Sequence, residues 1–212
     1  MRNTLLFVFS VICFLGCKSQ TADNQDTVKK IRSDTALDNY IKIATDKENA
    51  FTERKTDSIG KLVDQISYEV RTKKDKDFED GIIPWANIEK PEKDLPKLVD
   101  KNKTVITDTS ISVIIDYPLT IKCVFEIRSK NGFTREKLLV EISKKYHEIY
   151  KEEEATATVK TLPMNKRKML NRNQTDGKYG IWGHDLSDLD LSDISIYKTP
   201  ENKIVLILGI ES

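Results

Sequence analysis

The chain has 212 residues, of which 33% are charged and 38% hydrophobic, a balance that suits one domain plus an extension better than a single large globule. Lys and Arg number 35 against 34 Asp and Glu. A total so near neutral excludes the basic excess expected of a nucleic-acid binder.

Residues 1–17 read MRNTLLFVFSVICFLGC, a positive Arg2 followed by an apolar run over 5–15. That run is too short to span a bilayer, which takes about 20 residues, and it suits an export signal. Its end, Phe14-Leu15-Gly16-Cys17, resembles the lipobox of bacterial lipoproteins. The resemblance implies cleavage before Cys17, lipidation of its thiol with diacylglycerol, and acylation, as by palmitate, of the new amino terminus. The usual Leu three places before the Cys is Phe14 here. Two or more acyl chains anchor a protein stably where one does not. The expected location is therefore the cell envelope, on the periplasmic or surface side of a membrane, the outer membrane of a Gram-negative bacterium by preference. Removal of Arg2 would leave 34 charges of each sign, and Cys123 would be the one remaining thiol, with no intramolecular partner.

Residues 18–33 are polar and read as a flexible tether. Residues 34–73 read as a charged helical arm. Ser33 or Asp34 can cap it, and Leu37, Tyr40, Ile41 and Ala44, then Ile59, Leu62, Val63, Ile66 and Val70, recur at helical spacing. The weak middle leaves one helix or two open. Three short motifs, beginning at Asp26, Asp34 and Asp57, resemble the Asp-Ser/Thr-aliphatic acceptor of a bacterial O-glycosylation system. Residues 74–103 carry Pro84, Pro91 and Pro96 and read as loop, with Ile82, Ile83 and Trp85 as an apolar plug for the core or, less favoured, Trp85 as a ligand-stacking ring.

Residues 104–212 read as an α+β domain. Ile111, Val113 and Ile115, then Ile121, Cys123, Phe125 and Ile127, alternate as half-buried strands. Asn131-Gly132 turns the chain, Thr134 caps a helix reaching about Glu154, and Glu152 to Glu154 oppose the helix dipole, so fraying is expected there. A hairpin closes the chain, its last strand over 203–210 apolar on both faces and hence central. The expected order is β-β-α-β-β, an antiparallel sheet with one covering helix.

Candidate chemistry gathers in residues 158–196. The loop 158–178 carries Lys160, Lys166, Arg167, Lys168, Arg172 and Lys178 against Asp176. It suits either an anionic ligand or neutralisation of the aspartates that follow. Residues 177–196, GKYGIWGHDLSDLDLSDISI, crowd rare residue types together. Calcium fails by spacing: a loop counted from Asp188 puts Asp193 where Gly is needed and Thr199 where the bidentate Glu belongs. Zinc lacks ligands beyond His184. No metal or other cofactor is expected. The preferred reading is a glycine-hinged aromatic corner in which Asp185 caps a tight turn, Ser192-Asp193 forms a bulge and Trp182 and His184 close the core. The candidate ligand contacts are Lys166, Arg167, Lys168, Arg172, Trp182, His184 and Asp185. The block NRNQTDGKYGIWGHDLSDL is similar to a segment of an uncharacterised family of small secreted bacterial proteins, a resemblance that implies no activity. The leading expectation is a lipid-anchored module that binds a protein or an anionic ligand. The alternatives are a hydrolase using His184 and Asp185, or an inhibitor of the immunity-protein type.

Overall fold

The computed structural model describes residues 35–56, 58–74 and 76–212. Cys17, the tether and the acceptor residues Asp26, Asp34 and Asp57 lie outside them, as do the capping candidates Ser33 and Asp34. Two helices and ten strands follow in order: α1 (Thr35–Thr52), β1 (Lys61–Ser67), β2 (Val70–Arg71), β3 (Ile82–Ile83), β4 (Ala86–Asn87), β5 (Thr104–Ile106), β6 (Ser110–Ile115), β7 (Cys123–Arg128), β8 (Phe133–Thr134), α2 (Arg135–Thr156), β9 (Asp190–Lys198) and β10 (Ile204–Glu211). The fold class is α+β, and the order β6-β7-α2-β9-β10 carries its centre.

The main sheet runs β1-β9-β10-β6-β7, with β4 pairing β9 beside β1. Every pairing in it is antiparallel except β10 with β6, which is parallel. The expectation of a purely antiparallel sheet is corrected there. The terminal hairpin inserts β10 between β9 and β6, antiparallel to the first and parallel to the second. Both faces of this central strand are covered enough to bury Leu206, Ile207 and Leu208, as its two-sided apolar pattern requires. On the core face Ile111, Val113 and Ile115 stand level with Ile127, Phe125 and Cys123. Against them pack Leu138, Leu139, Ile142, Tyr146 and Ile149 of α2, each fully buried. Complete burial of one such aliphatic side chain contributes about 1.5–3 kcal/mol.

The helical arm expected over 34–73 stops at Thr52, and its second apolar run is strand β1 and the start of β2. A register shift between Leu62 and Asp64 supplies the reason. The bulge puts Leu62 and Val63, both about half exposed, side by side and leaves Ile66 and Val70 as the buried positions. An alternation broken by one extra residue imitates a spacing of three to four. The boundary expected at residue 104 is also crossed, because β1 and β4 belong to the sheet of the later strands.

Helix α1 lies against the domain through long polar side chains. Tyr40 donates to the Arg172 carbonyl, Lys47 to Thr120 Oγ1 at 2.7 Å, and Arg54, just past the helix end, to the Leu208 carbonyl at 2.8 Å. Phe51 adds a ring contact with Tyr117, centroids 4.6 Å apart. Among the described residues no helix is long and apolar enough to cross a membrane.

Candidate functional site

The aromatic corner forms as the glycine spacing predicts. Gly180 and Gly183 both take positive φ, +63° and +72°, which lets the chain turn tightly around Ile181 and Trp182. Trp182 is 4% exposed and meets Tyr117 edge to face at 5.3 Å, while His184 lies 5.4 Å from the same ring. His184 Nε2 is 3.0 Å from Glu48 Oε1, and the Tyr117 hydroxyl donates to that oxygen at 2.9 Å. Burial leads the causes that raise the Tyr117 pKa. His184 thus pairs with a carboxylate from α1, and Asp185 is engaged elsewhere. The structure does not bring His184 and Asp185 together as an acid/base pair, and it packs Trp182 as a core ring.

Asp185 does two things. It opens the tight 3-10 turn Leu186–Asp188, where Asp188 Oδ2 accepts the Asp185 N–H at 2.9 Å. Its carboxylate also takes a two-pronged bond from Arg167, Nη1 to Oδ2 at 2.6 Å and Nη2 to Oδ1 at 3.0 Å. Arg172 Nη1 stands 3.5 Å from the same carboxylate, and its guanidinium lies 5.2 Å from the centroid of the Tyr150 ring. Arg172 is 6% exposed. Arg167, Arg172 and Asp185, three of the seven candidate contacts, are therefore spent on holding the loop to the corner, and Trp182 is spent in the core. For the two arginines, neutralisation of an aspartate accounts for the basic loop.

Lys166 and Lys168 lie at the surface of the loop. Both are exposed and, with Arg167, line a groove of about 310 Å³ whose other walls include Tyr40, Leu162 and Met169. Beside it the loop exposes Val159, Leu162, Met164 and Leu170, the last 83% accessible. A surface that mixes long apolar side chains with lysines suits an anion that carries an apolar portion.

Sequence reasoning missed Glu153. Helix α2 continues to Thr156 without fraying, and Glu153 is fully buried. Its carboxylate accepts Thr175 Oγ1 at 2.6 Å and the N–H groups of Gly177 at 2.8 Å, Tyr179 at 2.8 Å and Gly180 at 3.1 Å. Burial opposes ionisation, but the bonds from Thr175 and these N–H groups outweigh it and hold the pKa below the usual carboxylate value. Gly177 is required, because a Cβ there would stand 2.7 Å from the Glu153 carboxylate. No local motif could have revealed this, since donor and acceptor lie more than twenty residues apart.

Among the described residues no group of three or more His, Cys, Asp or Glu could hold a metal ion. Compared with models of known families, with curated proteins and with solved structures, the chain matches none.

Proposed function

We propose that this chain is a lipid-anchored binding module of the cell envelope, tethered through Cys17 and taking an anionic, partly apolar ligand on the loop 158–173. The lipobox at 14–17 supports the anchor. The observation that carries the binding role is the groove beside Tyr40, where Lys166 and Lys168 meet Leu162 and Met169. Catalysis is disfavoured because the Asp185 carboxylate is held by Arg167.

Cys17→Ser is expected to move the protein from the membrane fraction to the soluble fraction of lysed cells; retention in membranes would count against the anchor. For the groove, the Cys17→Ser form should sediment with phosphatidylglycerol vesicles and poorly with phosphatidylcholine vesicles. Each Lys near such a surface contributes about 1 kcal/mol, so Lys166→Glu with Lys168→Glu should weaken binding by roughly tenfold or more. Equal binding by parent and double variant would remove the loop from the proposal.

A further inference from the structure

Trp85 was expected chiefly as a plug for the core. Ile83 does pack against the core and Ala86 lies within it, but among the described residues the core cluster does not include Trp85. Its backbone is nonetheless firmly placed. Ile83 pairs with Val70, and Ala86 pairs with Leu191, so the backbone that carries the half-buried indole is fixed on both sides by strands. Its ring contact is with Phe78, at 6.0 Å and 73°. An edge-to-face contact covers at most one face of the indole.

Two open grooves share Pro84 and Trp85 as walls, one of about 530 Å³ and one of about 600 Å³. In the first groove Gln65, Ser67, Glu69, Ser192 and Asp193 supply the polar lining. These groups are set by the sheet. Ser67 of β1 stands opposite Asp193 of β9, and Gln65 Nε2 donates to Asp193 Oδ1 at 2.9 Å. The bulge expected at Ser192-Asp193 appears as the register shift between Gly209 and Ile210. Opposite Asp193 stands Gly209, and a Cβ there would lie 2.2 Å from Asp193 Oδ2. A glycine inside the most apolar strand thus makes room for one carboxylate, and both bulges and strand glycines mark places where a side chain is re-aimed or a ligand approaches.

We infer that the first groove binds a neutral carbohydrate chain, with a pyranose ring stacked on Trp85 and its hydroxyls held by Gln65, Ser67 and Asp193. A pyranose presents C–H bonds on its faces and hydroxyls at its rim. The indole matches the first and the polar fork the second. Hydroxyls both donate and accept, as do Gln65, Ser67 and Ser192, whereas a cationic side chain only donates. An anionic ligand is disfavoured, because the first groove carries Glu69, Asp193 and Glu211 and no Lys or Arg.

The test uses the full chain in lauryldimethylamine oxide micelles, titrated with cellotetraose and with the tetramer of N-acetylglucosamine, followed by calorimetry and tryptophan emission. At least one should bind with a Kd on the order of millimolar or tighter. Trp85→Ala should weaken it about tenfold or more. Ser67→Arg, which fills the groove from an exposed position, should abolish it, and it decides the matter if circular dichroism shows Trp85→Ala misfolded. Lys166→Glu should leave sugar binding unchanged, so a failed anion groove leaves this result standing. Absence of binding by both sugars, or equal affinity in Ser67→Arg, overturns the inference. So does a hexa-arginine peptide that binds through Trp85 where neither sugar does.

Discussion

Glu153→Gln is expected to lower the folding free energy by about 3–5 kcal/mol, roughly 10 °C in Tm for a chain of this size. The carboxylate accepts one hydroxyl and the N–H groups of Gly177, Tyr179, Gly180 and Ile181 in a site closed to water. An amide brings its own N–H donors into a site built of donors, so at least one group loses its partner. The effect depends on pH with a definite sign. The folded pKa lies below the ordinary value of 4.5, so the stabilisation is complete above about that pH. It is lost as pH falls through the folded value. The parent should therefore lose stability on acidification below about pH 4.5, and Glu153→Gln should show a flatter acid limb. Urea midpoints at neutral pH and across the acid range provide the measurement. A variant within about 1 kcal/mol of the parent at pH 7 would show that the site rearranges freely.

The second large effect falls on Asp185. Asp185→Asn leaves the Arg167 side chain, 6% exposed, and that of Arg172, 7% exposed, without a full countercharge. Removing one partner of a buried pair costs about 3–5 kcal/mol, and the more accessible Asp185 places this case near the lower end. The loss should be local. Amide exchange ought to quicken over residues 160–173 while α2 and the β9–β10 hairpin keep their protection, since the Glu153 bonds that tie α2 to residues 175–181 and the pairing of β9 with β10 are untouched. Uniform loosening of the whole sheet would contradict the division between a pinned loop and an independent core.

Much of the domain could be read from residue pattern alone. Strands β6 and β7, helix α2 with its Thr134 cap, the closing hairpin and the central place of β10 all follow from alternation, capping and two-sided apolarity. These signals are local, and local physics decides them. What escaped was non-local. The bulge at Leu62 scrambled the period of β1. The parallel partner of β10 depends on how a hairpin seats itself between distant strands. Glu153 looked like a misplaced charge at a helix end because its donors arrive from residues 175–180. The corner was legible as structure, yet the partner of His184 was not, since Glu48 comes from another helix.

The parallel pairing of β10 with β6 also sets an order of events. Ile204 stands beside Ile111, a separation of more than ninety residues, and the strand that divides β9 from β6 comes late in the chain. Until it arrives, the β6 edge of the β6–β7 hairpin has no partner and the hairpin no sheet to join. Closing so long a loop carries an entropic cost before any contact rewards it. A chain emerging in sequence therefore cannot finish its core early. It must remain open until residues 204–211 are free to pair.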